Sequence, residues 1–387
     1  TLTAEAGNGY FINTTSNTCT ITLPASAEAG DQIVFMDYLR TWGTYKIIID
    51  SNGLNYQGNP DTYTVEYDTN GETLNIVYSG ATKGWIPLDD DVVADVPVAP
   101  PTQKAIFGFG TISSFTAITN LVNSSGVVAT DTAGVGTAMG DLAAAGYGGD
   151  KAIFGYGGAP AVSTSNLVNN VGVVASDVTG VGTARYQIAA ATYGLDKAIF
   201  GYGTTGSNTA ITNLVSNVGV VATDTSGVGT ARAALAAAAY GTDKAIFAYG
   251  YTSSDVSISN LVSNSGVVAS DVSGVGTARR SSAAAGYGTG TAIFAYGYNA
   301  GSENVSMSNL VNSSGVVASD VSGVGTARAD LGAALYGADK AIFAYGYTSS
   351  NVSLSNLVNS SGVIAADVTG VGTARRNLAA AGYSSSA

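Results

Sequence analysis

KAIFAYGYTSSDVSISNLVSNSGVVASDVSGVGTARRSSAAAGY, residues 244–287, is one of six near-copies of a single unit. The others begin at Lys104, Lys151, Lys197, Thr291 and Lys340, so the period is 46 to 49 residues. Such regular self-similarity means that one supersecondary unit is stacked or arranged in a ring. Within 244–287 the pattern predicts four strands. Residues 245–251 form an apolar and aromatic run. Residues 257–262 alternate Ser and Asn with Ile, Leu and Val. After the Asn264-Ser265-Gly266 turn, 267–271 reads as a third strand and 282–287 as a fourth. Four short strands in each period of this length predict the blade of a β-propeller. The Ala-rich run before each closing Tyr is too short for a helix. Small side chains also suit an innermost strand, where wedge-shaped blades crowd the axis.

The two ends of the array predict closure. Copy one has no inner strand before Lys104, while copy six ends with a spare one at 377–383. The C-terminal strand is expected to complete the first blade and close a six-bladed ring without exposed edges.

Residues 1–88 do not repeat. Strand-like runs at 9–13, 19–23, 32–37, 45–50, 63–67 and 73–78 alternate with turn signals such as Asn52-Gly53 and Asn70-Gly71. They predict a small antiparallel β-sandwich or barrel, with Trp85 plugging its base. Residues 89–103 hold Asp89, Asp90 and Asp91 and then Pro97, Pro100 and Pro101, the composition of an extended spacer. The acidic triplet reads as solvated linker charge, because neighbours on an extended chain point different ways. The expected organisation is therefore all-β: an N-terminal domain (1–88), a Pro-rich linker (89–103) and a six-bladed propeller (104–387).

Composition narrows the function classes. The chain is 45% hydrophobic but only 11% charged, with net charge −12 and no basic cluster. Nucleic-acid binding needs grouped Lys and Arg, so it is not expected. No run approaches the roughly 20 apolar residues of a membrane span. No secretory leader precedes Thr1, which fits a processed chain or a piece of a longer one. Cys19 is the single cysteine, which excludes an intrachain disulfide and reads as a small strand side chain. The chain has no His, which removes the usual general base and metal ligand. Carboxylates recur once per copy at symmetric positions, not as a converging pair of the glycosidase kind. No catalytic residue, metal site or cofactor is expected, and the chain reads as a non-enzyme.

Three positions recur in the copies. Asp131, Asp177, Asp224, Asp271, Asp320 and Asp367 precede x-x-G-V-G and are expected to cap that turn, calcium ligation being the sharper alternative. Asn120 and its five equivalents precede Leu-Val and read as structural hydrogen-bonders. Arg185, Arg232, Arg279, Arg328 and Arg375 are expected to bond carbonyls of the neighbouring blade, with Met139 in that place in copy one. The loops after the first strand of each copy differ, and all should lie on one face, where rigid scaffolds carry binding residues. Tyr251, Asp255, Tyr298, Glu303, Tyr347 and Asn351 are the candidate ligand residues, since aromatic faces beside short polar groups suit sugars.

The repeat resembles the kelch-type propeller unit in its Arg opening the inner strand, its second strand ending in glycine (AIFAYG) and its variable loop. The N-terminal part resembles the small β-domains of fibre and appendage proteins of tailed phages, particularly marine ones. The stretches that carry this are CTITLP (19–24), AGDQIVFMD (29–37), IIIDSNG (47–53), LNIVYSG (74–80) and KGWIPL (83–88). The resemblance implies an extracellular virion protein, either a fibre or a tail or capsid decoration. The N-terminal domain would join other virion structural proteins, and a homo-oligomer would present the propeller to host surface glycans. Two other classes remain open: a bacterial surface adhesin or extracellular filament subunit, and a purely structural cement protein.

Overall fold

The computed structural model describes residues 1–62, 64–88, 103–158, 160–301 and 303–384. They are all-β, with no helix among them. Two compact units divide at Thr1–Pro100 and Pro101–Ala387. The expected linker lies outside the described residues except for Gln103.

The first unit is a sandwich. One sheet holds β1 (Leu2–Thr3), β3 (Cys19–Thr22), β5 (Ile47–Asp50) and β6 (Val65–Tyr67). The other holds β2 (Gly9–Ile12), β4 (Gln32–Asp37), β7 (Thr73–Tyr78) and β8 (Trp85–Pro87). The six expected strands are present, and β1 and β8 are additional. The pairing is not purely antiparallel, which corrects the expectation. Successive strands cross between the sheets, so β1, β3 and β5 run parallel, as do β2 and β4. The remaining pairs are antiparallel. Both sheets feed one core around Ile21, Ile33, Phe35, Trp42, Ile49 and Trp85. Trp85 is fully buried, and half-buried Cys19 packs at the margin of that core.

The second unit builds six three-stranded antiparallel sheets from the repeats. The first pairs β9 (Lys104–Gly108) with β10 (Thr119–Val122). The next two are β11 (Ala143–Tyr147), β12 (Lys151–Gly157), β13 (Val162–Val168) and β14 (Ala189–Tyr193), β15 (Lys197–Gly201), β16 (Thr212–Val215). Then come β17 (Ala236–Tyr240), β18 (Lys244–Ala248) and β19 (Ser259–Val262). A short β20 (Arg279–Arg280) precedes β21 (Ala283–Tyr287), β22 (Thr291–Ala295) and β24 (Ser308–Val311), and pairs with β23 (Tyr298–Asn299). The sixth holds β25 (Gly332–Tyr336), β26 (Lys340–Ala344) and β27 (Ser355–Val358). Finally β28 (Ala379–Tyr383) joins the first sheet, pairing antiparallel with β9. Each inner strand therefore comes from the copy before its sheet, and the last copy supplies the first sheet.

The inner strands β11, β14, β17, β21, β25 and β28 contact one another in sequence, and β28 returns to β11. This is a closed six-bladed ring. Its Ala-rich inner strands line a cavity of about 370 Å³. Phe and Tyr rings pack edge-on or tilted between blades, as in Tyr249 with Phe294 at 5.4 Å. Near the end of each copy's first strand Phe109, Tyr156, Tyr202, Tyr249, Tyr296 or Tyr345 turns into the left-handed region, in β12 as a register shift between Gly155 and Gly157. A bulky residue seldom adopts that conformation. Here the ring is wholly buried, which offsets the strain.

The blades carry three full strands, not four. The segment expected as a strand at 267–271 makes only single bridges, Val262 to Val268 and Ser259 to Val272. The cause is the G-V-G-T turn next along the chain. Its Thr277 donates from amide and hydroxyl to Asp320 of the next copy. That turn is bound across the seam and not along its own blade. All six copies repeat the bond, ending with Thr373 on Asp131. The aspartates thus cap the preceding copy's turn, not their own, which corrects that expectation. The second glycine of G-V-G is required there. Gly325 has φ of 74°, and a side chain on it would collide with the Asp367 carboxylate.

Candidate functional site

The seam fixes what the site stands on. Each Asp also accepts from the Asn before Leu-Val, as Asp320 does from Asn309 at 2.9 Å. Burial raises the pKa of Asp320, but hydrogen bonds from Thr277 and Asn309 outweigh it and hold the carboxyl below its usual range. Arg279 donates to Asn309 at 2.7 Å and lies 4.0 Å over the Tyr249 ring. Arg185, Arg232, Arg328 and Arg375 are likewise buried and stacked on tyrosine. They bond carbonyls of the next copy, such as Arg185 Nε to Tyr202 at 2.8 Å. At the exceptional seam Met139 packs with Phe109 in one apolar cluster, so the Arg–Tyr pair becomes Met–Phe. The Asn166 Oδ1 there is buried without a donor, as are Asn120 and Asn260 Oδ1 at the Arg375 and Arg232 seams.

Around the axis, six residues in left-handed conformation form a second ring. Their φ values lie between 51° and 56°. Asp141, Gln187, Ala234, Ser281, Asp330 and Asn377 each donate an amide to the carbonyl of the one before, at 2.8 to 3.0 Å. Asp141 closes the circle on Asn377 at 2.9 Å. The residue just before each of these lies beside a variable loop, bonded to it through backbone: Gly140, Tyr186, Ala233, Arg280, Ala329 and Arg376. Bulk is thus confined to alternate blades.

A pocket of about 340 Å³ opens between the later blades, lined by Arg280, Tyr298, Asn304, Asp330, Tyr347 and Arg376 among others. Arg280 is held between two of the expected tyrosines, 4.8 Å from the ring centroids of both Tyr251 and Tyr298. Its guanidinium donates to Asp255 at 2.9 Å, and the Asp255 side chain is 1% exposed. Arg376 lies 4.3 Å over the Tyr347 ring, and among the described residues it has no carboxylate within 4.0 Å. Two carboxyls flank the axis nearby. Burial, then the charge of Asp330, push Asp141 up to about 6 against the pull of Arg376. Burial also raises Asp330, against a hydrogen bond from Ser281 and the charges of Arg376 and Arg280. Both line a smaller depression with Gln187, Ser281 and Asn377.

The six candidate residues thus separate. Tyr298 and Tyr347 wall the pocket, and Tyr251 and Asp255 adjoin it through Arg280. Exposed Glu303 does not line it; its amide bonds Asn299 at 3.2 Å. Asn351 is a clasp between loops, donating to the Thr111 and Ile112 carbonyls. Asn208 and Asn304 clasp Tyr251–Thr252 and Tyr347–Thr348 in the same way. Asp255 occupies the equivalent loop position but cannot donate, and Arg280 bridges that gap.

Sequence reasoning missed Arg280, Arg376, Asp330 and Asp141. The expectation that carboxylates stand only at symmetric positions is also corrected, since Asp141 and Asp330 act on one another near the axis. The signal was present in the segment after G-T-A. The copies read MGDL, RYQI, RAAL, RRSS, RADL and RRNL there, and only two copies carry an Arg doublet. No family model matches the chain, and no curated protein matches it. Among the described residues no helix is long and apolar enough to cross a membrane, and no three His, Cys, Asp or Glu residues gather to hold a metal.

Proposed function

We propose that the chain is a virion appendage protein whose propeller adheres to host surface glycans. The observation that carries this reading is where the copies differ. The Thr–Asp and Asn–Asp bonds repeat at every seam of the ring, while Arg280, Arg376, Tyr298, Tyr347 and Asp330, residue types that only some copies carry at these places, gather at one pocket. Rigid repetition beneath and divergence above is the arrangement of a binding face. Aromatic walls with donors and acceptors suit saccharides. Weak single contacts would gain from presentation in multiple copies.

The N-terminal sandwich supports an anchoring role. Phe11 on the edge strand β2 is 70% exposed and stands in register with Met36, which is itself exposed. Tyr38, also exposed, meets the Phe11 ring at 6.0 Å. An apolar patch on an unpaired edge is an attachment surface. Gold-tagged antibody against the propeller, imaged on infected and uninfected cultures, tests the placement. Label on virion appendages supports it. Label on cells without virus would replace it with a bacterial adhesin or filament subunit.

A second reading rests on Asp141 and Asp330. Glycoside hydrolysis uses two neighbouring carboxyls, one with a raised pKa to serve as the acid and one ionised, and these two act on one another beside the pocket. Release of reducing ends from a bound oligosaccharide, lost in Asp141→Asn, would favour it over adhesion alone.

A further inference from the structure

We propose that this pocket reads an uncharged sugar through a vicinal pair of hydroxyls, held between Arg376 as donor and Asp330 as acceptor, with Tyr298 and Tyr347 against the ring. The inference rests on the adhesion reading and names the class of glycan. Its first ground is charge. The pocket wall carries two guanidiniums, Arg280 and Arg376, and one carboxyl, Asp330. Asp255 stands behind Arg280 and neutralises it. Asp141, which lines the adjoining depression, also acts on Arg376. The wall therefore carries no excess of positive charge: two guanidiniums face three carboxyls, two of which, Asp141 and Asp330, burial pushes toward the neutral form. An anionic sugar would bring its carboxylate or sulfate beside Asp330, and a cationic one would face two guanidiniums. Neither gains net attraction.

The second ground is hydrogen-bond capacity. A sugar hydroxyl is both donor and acceptor, so two adjacent hydroxyls match a wall that offers both roles. Arg376 has five N–H donors, and stacking on Tyr347 leaves its edge free to use them. Among the described residues its guanidinium has no hydrogen bond or ion pair. Asp330 keeps an acceptor oxygen whether ionised or protonated. Arg280 is already committed to Asp255 and serves as the stiff partition between Tyr251 and Tyr298. The third ground is shape: about 340 Å³ lies at the small end of ligand sites and suits one or two pyranose rings.

The test uses the full chain and saturation-transfer NMR, with titration for affinity. The probes are methyl glycosides of glucose, galactose and mannose, the corresponding uronates, and analogues deoxygenated at single hydroxyls. At least one neutral glycoside should bind, with its uronate weaker by about tenfold or more. Loss of either of two adjacent hydroxyls should weaken binding by a similar factor, because a polar group of the wall is then left unpaired. Arg376→Gln and Asp330→Asn should each reduce binding without lowering the melting temperature by more than a few degrees. Tyr186→Phe, on the far side of the ring, should bind as the native chain does. Uronates bound as tightly as neutral sugars, or binding indifferent to Arg376→Gln, would overturn this inference and leave the adhesion reading standing. No saccharide bound from either set would overturn both.

Discussion

The amide of Asp141 donates to the carbonyl of Asn377 at 2.9 Å, joining the first repeat to the last. The same bond links every adjacent pair of copies around the axis, so this one turns a row into a ring. A second set does so at the opposite end of the inner strands, closed by Gly337 on Gln103 at 2.7 Å and Ser384 on Asp150 at 2.8 Å. Truncation after Arg375 removes β28, opens both sets and bares the β9 edge. The shortened chain should lose its cooperative melt and aggregate on size exclusion. A monodisperse truncation with a native circular-dichroism spectrum would show that closure is dispensable.

The buried arginines hold the seams. Arg328 supplies donors to the Tyr345 carbonyl at 2.9 Å, the Thr326 carbonyl at 3.1 Å and Asn356 at 2.7 Å. Arg328→Met leaves those acceptors buried, at about 1–3 kcal/mol for each that water cannot reach. Met139→Arg should do the reverse where its guanidinium reaches Asn166 Oδ1 as Arg185, Arg279 and Arg328 reach their Asn partners. Urea unfolding should place Arg328→Met well below the native chain and Met139→Arg at or above it. Equal losses in both would mean that packing volume governs the seam and hydrogen bonding does not.

Asp141 should give the protein a pH dependence in the mildly acid range. Its folded pKa, about 6, lies above the unfolded value of 3.8. The folded state therefore holds the proton more tightly. The resulting stability is fully present below the unfolded pKa and is lost as pH rises through 6. The total is on the order of 2–3 kcal/mol. Asp141→Asn should melt higher than the native chain at pH 7, with the difference vanishing near pH 4. A constant difference across that range would remove the carboxyl as its source.

The apolar edge of the sandwich makes a separate prediction. Phe11→Lys places a charge on an exposed residue, so the melting temperature should hardly move, while incorporation into virions or self-association should fall. Unchanged assembly, measured by sedimentation or by labelling of purified particles, would exclude β2 as the attachment edge.

Much of the fold was legible because the repeat writes each structural demand six times. The period, the Ala-rich inner strands and the spare strand at 377–383 all read directly. Strand direction in the sandwich did not, since the alternation in β3 and β5 is the same whether neighbours run parallel or antiparallel. The strand expected at 267–271 was over-read because Val267, Val268 and Val272 have strand chemistry, while the bonds of the adjoining turn go to another copy. The site was half legible. Tyr298 and Tyr347 stood out as aromatics in variable loops. Arg280 and Arg376 were hidden beside Arg279 and Arg375, whose recurrence drew the reading. Asp141 and Asp330 were hidden because the repeated aspartates suggested that every carboxylate was structural.

The central claim is that the loop face binds carbohydrate. A glycan array probed with the labelled full chain, beside Tyr347→Ala and Arg376→Gln, tests it most directly. The account predicts a restricted set of bound glycans for the native chain and their loss in both variants, with the fold retained. Binding to no glycan, or the same set bound by all three proteins, would contradict it.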